Sequence, residues 1–153
     1  MGGRLPVGGM GMIEQQEILQ GIGEDLLGFA PEGWERLRYE YSAVAKYATD
    51  SLTVEYSNGE SEMVDCPVTV LSKLARLRAG MYQEGKGTWF SVEYTIVPPS
   101  KYSVDFNYDE YPDFTFRPSP EGFADDLKTF PRAEEFVPDW LREQVEAARG
   151  GAG

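Results

Sequence analysis

From Leu37 to Ala45 every second residue is apolar or aromatic: Leu37, Tyr39, Tyr41, Ala43 and Ala45 alternate with polar residues that include Arg38, Glu40 and Ser42, and Lys46 continues the polar set. A period of two belongs to a strand with one buried face. The stretch 34–46 therefore predicts a strand that needs neighbours along both edges and cover for its apolar side. Two neighbours follow directly. A turn at Thr49-Asp50 leads into a strand from Leu52 to Tyr56, and Ser57-Asn58-Gly59 returns the chain as a short strand from Ser61 to Asp65, because Asn-Gly readily takes the positive φ angles of a tight hairpin. A second hairpin is expected from Trp89 to Val97 and from Tyr102 to Tyr108. Its core side would carry Phe90, Val92, Tyr94 and Ile96, joined by Tyr102, Val104, Phe106 and Tyr108.

Helical spacing supplies the cover. Between Met12 and Phe29, the residues Ile18, Leu19, Ile22 and Leu26 recur at intervals of three and four, the period of an amphipathic helix. Gly21, Gly23 and Gly28 weaken it, each interior glycine costing about 1 kcal/mol relative to alanine, so its stability must come from docking. A second helix opens at Pro67 or Thr69, lines up Leu71, Leu74, Ala75, Leu77, Arg78 and Met81, and ends at Gly85-Lys86-Gly87. Arg76 and Arg78 are most simply a solvated helix face. A helical segment around Phe123 to Lys128 and a final helix opening at Pro138-Asp139 close the chain. The fold expected is α+β: an antiparallel sheet of about five strands with N-terminal, inserted and C-terminal helices.

With 153 residues, 41% of them hydrophobic, the chain is the size of one domain, expected over 12–149. The glycine-rich ends, 1–11 and 150–153, read as disordered, and Met12 offers a second translation start. A formal charge of −12 argues against nucleic acid and anionic lipid as partners and for a basic protein. Cys66 is the only cysteine and there is no histidine, which excludes an internal disulfide, a thiolate zinc site and a histidine-based catalytic triad. No cofactor or metal site is indicated. The apolar stretches are too short for a signal peptide or a membrane span, so the cytoplasm is the default compartment.

Charge is unevenly distributed. Residues 67–101 hold 2 acids and 5 bases, while 102–153 hold 12 acids and 5 bases. Most acidic of all is Tyr102 to Phe116, YSVDFNYDEYPDFTF, which carries Asp105, Asp109, Glu110 and Asp113 and no Lys or Arg. Read as a half-buried strand, it would present those carboxylates on its open face, with Glu93 of the neighbouring strand facing Asp105. Such facing acids repel by a few tenths of a kcal/mol to about 1. Four uses compete: a general acid and base pair as in glycosidases, a site for a hard cation such as Ca²⁺, a solvated edge that resists aggregation, and a surface for a protein partner. Catalysis would need a carboxyl raised by burial, which an open strand does not provide, and no EF-hand spacing is present. Tyr108 and Tyr111 within the run favour protein binding, since Tyr is enriched at interface hot spots. The candidate surface residues are Asp105, Asp109, Glu110, Tyr111 and Asp113.

The order of elements also resembles the YezG-like immunity (antitoxin) family of bacterial polymorphic toxin systems. The resemblance is carried by the N-terminal helix followed by Pro31 and Trp34, the hairpin at Asn58-Gly59, the middle helix, the Trp89 strand with Ser91 to Ile96, and Asp105-Phe106-Asn107-Tyr108-Asp109. It covers Met12 to Phe116; the tail with Trp140 departs from it. What the resemblance implies is a cytoplasmic, non-catalytic inhibitor that forms a 1:1 complex with a secreted toxin domain of nuclease or deaminase type and occludes its active site. The residue-level reading leaves two alternatives open: a carboxylate-based or cation-dependent hydrolase, and an acidic adaptor with no toxin partner.

Overall fold

The apolar stripe of the first helix, α1 (Met12–Leu27), buries Ile18, Ile22 and Leu26, and that of the inserted helix, α2 (Thr69–Gly80), buries Val70, Leu74 and Leu77. The structure, a computed structural model, describes residues 7–45 and 47–151. Both helices lie on one face of a five-stranded antiparallel sheet of order β3-β2-β1-β4-β5. The strands are β1 (Trp34–Val44), β2 (Tyr47–Tyr56), β3 (Ser61–Val64), β4 (Ser91–Val97) and β5 (Lys101–Asn107). The chain makes a meander β1-β2-β3, crosses beneath the sheet through α2, and returns as β4 on the other side of β1. The alternation in β1 is thus used on both edges, and Leu37, Tyr39, Tyr41 and Ala43 join Leu52, Val54, Val92, Tyr94 and Ile96 against the helices. The α+β architecture expected from the sequence is the one observed. Among the described residues no helix is long and apolar enough to cross a membrane.

Polar contacts fasten α1 to α2: Lys73 Nζ and Thr69 Oγ1 donate to Asp25 Oδ2 at 2.6 and 2.9 Å, and Arg76 pairs with Glu14 at 2.9 Å. Gly23 has a role that its helix-weakening character concealed. A Cβ at this position would lie 2.5 Å from the Tyr94 hydroxyl, which donates to the Leu19 carbonyl at 2.6 Å. Glycine lets the strand tyrosine reach the helix backbone. Gly23→Ala should therefore destabilise the fold by about 1–3 kcal/mol, the usual range for overpacking, despite alanine's better helix propensity; a urea midpoint at or above that of the parent chain would refute this.

Several local expectations are corrected. The chain reverses before Thr49-Asp50, which pair with Ser42 and Tyr41 inside the sheet; the closing pair is Val44 with Tyr47. Ala45 is exposed at this reversal with φ +50° rather than on the core face, and no Gly, Asn or Pro marks the turn. Lys46 lies outside the described residues. Helix α2 stops at Gly80, not at Gly85-Lys86-Gly87, because its last carbonyls already have partners: Thr88 Oγ1 donates to Arg78 O at 2.6 Å, and the Gly8 and Met10 amides donate to Ala79 O and Gly80 O at 2.7 and 3.1 Å. This satisfies groups that a helix C-terminus leaves free. It also orders residues 7–11, which the glycine-rich composition assigned to a disordered tail; residues 1–6 of that tail lie outside the described residues. At the other end Gly150 and Gly151 complete the last helix, and 152–153 lie outside the description.

The C-terminal segment, α3 (Pro120–Thr129), a 3-10 turn (Glu134–Phe136) and α4 (Asp139–Gly151), forms a lobe on the opposite face at one end of the sheet. A second apolar cluster joins Val44 and Phe90 to Phe123 and Leu141, with Tyr47, Tyr111, Phe114 and Trp140 around them. Here the pleat shifts by one residue. Trp89, fully buried, takes the core position against Tyr41 and Phe106, and Phe90 turns to the lobe, where it meets Trp140 edge-on at 5.1 Å. The alternation of β4 predicts Phe90 beside Val92 in the main core, and the shift places it in the second cluster instead. Both its backbone groups are used at this step: its amide donates to Asn107 O and its carbonyl accepts from the Ala43 amide.

The expected solvated helix face holds for Arg76 alone. Arg78 is 4% exposed and makes a two-pronged pair with Asp126 of α3 at 2.7 and 2.8 Å. Its Nε donates to Trp89 O at 2.7 Å, and its guanidinium lies 5.0 Å from the centre of the Phe130 ring. Asp126 Oδ1 also accepts the Ala45 amide at 2.6 Å. One carboxylate thus joins α2, α3 and the β1–β2 reversal around the end of the sheet.

Candidate protein-binding face

Strand register sets three acids in one line across the open face of the sheet. Asp105 on β5 is opposite Glu93 on β4, and Glu93 is opposite Glu40 on β1. Opposed side chains on one face have Cβ atoms about 4.5–5.5 Å apart, so three like charges occupy adjacent positions. No ion pair among the described residues involves any of them. The nearest arginine on this face, Arg38, bonds to Glu55 at 3.3 Å instead. Glu40 is the member that sequence reasoning did not join to the site. Its place on the polar side of β1 was legible; that β1 lies beside β4 was not.

The acidic run itself does not continue as a strand. Strand β5 ends at Asn107, whose side chain closes a turn: Oδ1 accepts the Asp109 and Glu110 amides at 3.3 and 2.9 Å, and Nδ2 donates to Glu110 O at 2.9 Å and to Ser91 Oγ at 3.0 Å. The chain then crosses the open face toward β2, where the Thr115 amide donates to Thr49 Oγ1 at 3.1 Å and the Tyr47 hydroxyl donates to Phe116 O. Asn107, Ser91, Ser42 and Thr49 form the row next to Asp105, Glu93 and Glu40, and Ser42 is only 5% exposed beneath this strap. The five candidate residues therefore divide. Asp105 stands on the sheet; Asp109, Glu110 and Asp113 are exposed on the strap.

Tyr111 is corrected from surface to partly buried. It packs edge-on against Trp140 at 5.2 Å and with tilted rings against Phe123 at 5.7 Å, with Arg117 over its ring. Alternation broke down after Asn107, so the even spacing of aromatics there reflects a loop pinned to the lobe. Asp109 also has structural neighbours. Its carbonyl accepts Trp140 Nε1 at 2.7 Å, and its charge acts on Arg132, whose guanidinium burial draws below its ordinary value while Asp109 and Asp126 partly offset that. Arg132 donates to the Thr88, Tyr108 and Phe136 carbonyls, each at 2.9 Å, and so fixes the base of the strap.

Cys66 is half-buried beside Asp50, and its thiol is pushed up to about 12, by burial first and then by that carboxylate. Such a thiol carries little of the thiolate that reactivity needs. Asp50 Oδ2 also accepts the Tyr39 hydroxyl at 2.7 Å. An open recess of about 460 Å³ is lined by Glu35, Arg36, Glu55, Tyr56, Val97 and Pro98, and another of about 240 Å³ lies between α3 and α4; neither includes a candidate acid. Among the described residues no group of three His, Cys, Asp or Glu side chains is placed to hold a metal ion. The arrangement offers an acidic row bordered by the acidic strap, while Arg38, Arg36 and Lys101 stand on the rows of the same face further from the strap. The sequence matches no model of a known protein family and no curated protein.

Proposed function

We propose that the protein is an immunity-type inhibitor that acts in the cytoplasm without catalysis, binding a basic toxin domain one to one and blocking that domain's active site. The observation that supports this reading is the line Glu40, Glu93 and Asp105, which forms no ion pair among the described residues, bordered by Asp109, Glu110 and Asp113 on the strap. Adjacent like charges on one sheet face cost stability, and a cationic partner relieves that cost on binding. A toxin that acts on nucleic acid has a basic cleft to receive phosphates, and carboxylates at this spacing occupy such a cleft in their place. A net charge of −12 adds long-range steering toward such a partner. It also repels nucleic acid and anionic membranes.

The test is to screen the purified chain against small basic toxin domains, beginning with any encoded by neighbouring genes. The expected result is a 1:1 complex by light scattering, loss of the domain's activity at equimolar ratio, and an association rate that falls steeply between about 50 and 200 mM salt. An unrelated protein of equal positive charge serves as control. Equal binding of the control, or a complex that leaves the domain fully active, would sink the proposal.

A further inference from the structure

Strand β5 is a seven-residue sheet edge, Lys101–Asn107, whereas the opposite edge, β3, has four residues. It pairs with β4 in unbroken register from Val97 with Lys101 to Ser91 with Asn107, and it contains no proline. Among the described residues no backbone hydrogen bond reaches its far side. Asn107 O accepts from Phe90 beside β4, so by the alternation of an antiparallel ladder the N–H and C=O groups of Phe106, Val104 and Tyr102 point away from the sheet. Sheets usually shorten, bend or cover an edge of this kind. Here only Lys101 and Asp105 guard it.

The charge pattern specifies the occupant. A strand added along β5 would place one side chain next in the line Glu40, Glu93, Asp105, about 4.5–5.5 Å in Cβ from Asp105. A Lys or Arg there would pair with Asp105 and end the line, with Glu93 and Glu40 about 10 and 14 Å away at roughly 4.8 Å per strand, and cations further along would approach Asp109 and Glu110 where the strap begins. A second copy of this chain offers one cation, since β5 paired with itself about Ser103 sets Lys101 against Asp105, but it brings a second acidic line and a net charge of −12 with it, and like net charge opposes self-association. We infer that the β5 edge receives an extended strand of a basic protein partner, making a sixth strand whose Lys or Arg continues the line Glu40, Glu93, Asp105. This inference rests on the proposed function and specifies how that same partner docks.

Hydrogen exchange of the full chain, alone and with the basic domain that the screen identifies, tests the inference. In the complex the Tyr102, Val104 and Phe106 amides should be protected by about 100-fold or more, and Val104→Pro should weaken binding by about 30-fold or more. Proline is chosen because it removes an outward N–H that the free chain does not use. If that variant does not fold, the exchange measurement on the unaltered chain decides. A tight complex in which those amides exchange as in the free chain, or which Val104→Pro binds normally, overturns strand addition while leaving the inhibitor reading intact. Absence of any complex overturns the inhibitor reading and strand addition with it. Protection that rises with concentration of the chain alone shows a second copy on the edge and also overturns the inference.

Discussion

Replacing Asp126 by alanine should cost about 3–5 kcal/mol, because removing one member of a buried pair leaves the other charge uncompensated. Arg78 would keep only the Trp89 carbonyl among its charge-assisted contacts, and the Ala45 amide would lose its acceptor. That amide sits at a non-glycine residue with φ +50°, a conformation that itself costs roughly 1–2 kcal/mol and that the Asp126 bond helps to offset. A loss of this size is a large share of the 5–15 kcal/mol typical of whole domains. Urea unfolding should show either a much lower midpoint or early separation of the C-terminal lobe, visible as a change in Trp140 fluorescence. The double variant Arg78→Met with Asp126→Leu should recover much of the loss, since apolar replacements of a buried pair are often neutral. A single-variant loss below about 1 kcal/mol would show that the aromatic cluster alone holds the lobe.

Changing both Glu93 and Asp105 to Lys should slow association with the basic domain by about 10- to 100-fold at low salt and flatten its salt dependence. The same changes should raise the stability of the free chain by a few tenths to about 1 kcal/mol, because Glu93→Lys sets a cation beside Glu40 where two acids now repel. Opposite signs for binding and stability are the informative outcome. Reversing Asp109 and Glu110 should also slow association, but Asp109→Lys should lower stability through its proximity to Arg132. If the Glu93 and Asp105 changes lowered stability and left association untouched, the line would be structural and the proposed face wrong.

The fold was legible where periodicity is strong. The stripes of α1 and α2 and the alternation of β1 and β4 identify most of the core, because each element has only one apolar side to bury. What failed to show was whatever depends on contacts distant in sequence. Asp126 lies 81 residues from Ala45 and 48 from Arg78, and nothing local distinguishes it from Asp125. Arg78 did fall on the apolar stripe of α2, which was the one available sign that it is buried. Thr49-Asp50 resembled a turn by composition, yet pairing along β1 overrode that preference. In the candidate site, Asp105 and Glu93 were correctly opposed by hairpin register. Tyr111 was misplaced because aromatic residues in a loop can mimic strand alternation, and Glu40 was missed because the side on which β4 joins β1 depends on the crossover through α2.

The strap also limits the size of any contact made on the sheet alone. Between the strap and the far end of β1, the open rows run from Glu40 to Arg36. At about 3.4 Å per residue along a strand and 4.8 Å between strands, five strands expose there a patch of roughly 250–300 Å² in projection. A stable interface covers about 800 Å² on each partner. A tight partner must therefore reach past the sheet, either over the strap toward the lobe or around the β5 edge, and a fragment small enough to fit only between them would bind weakly whatever its charge.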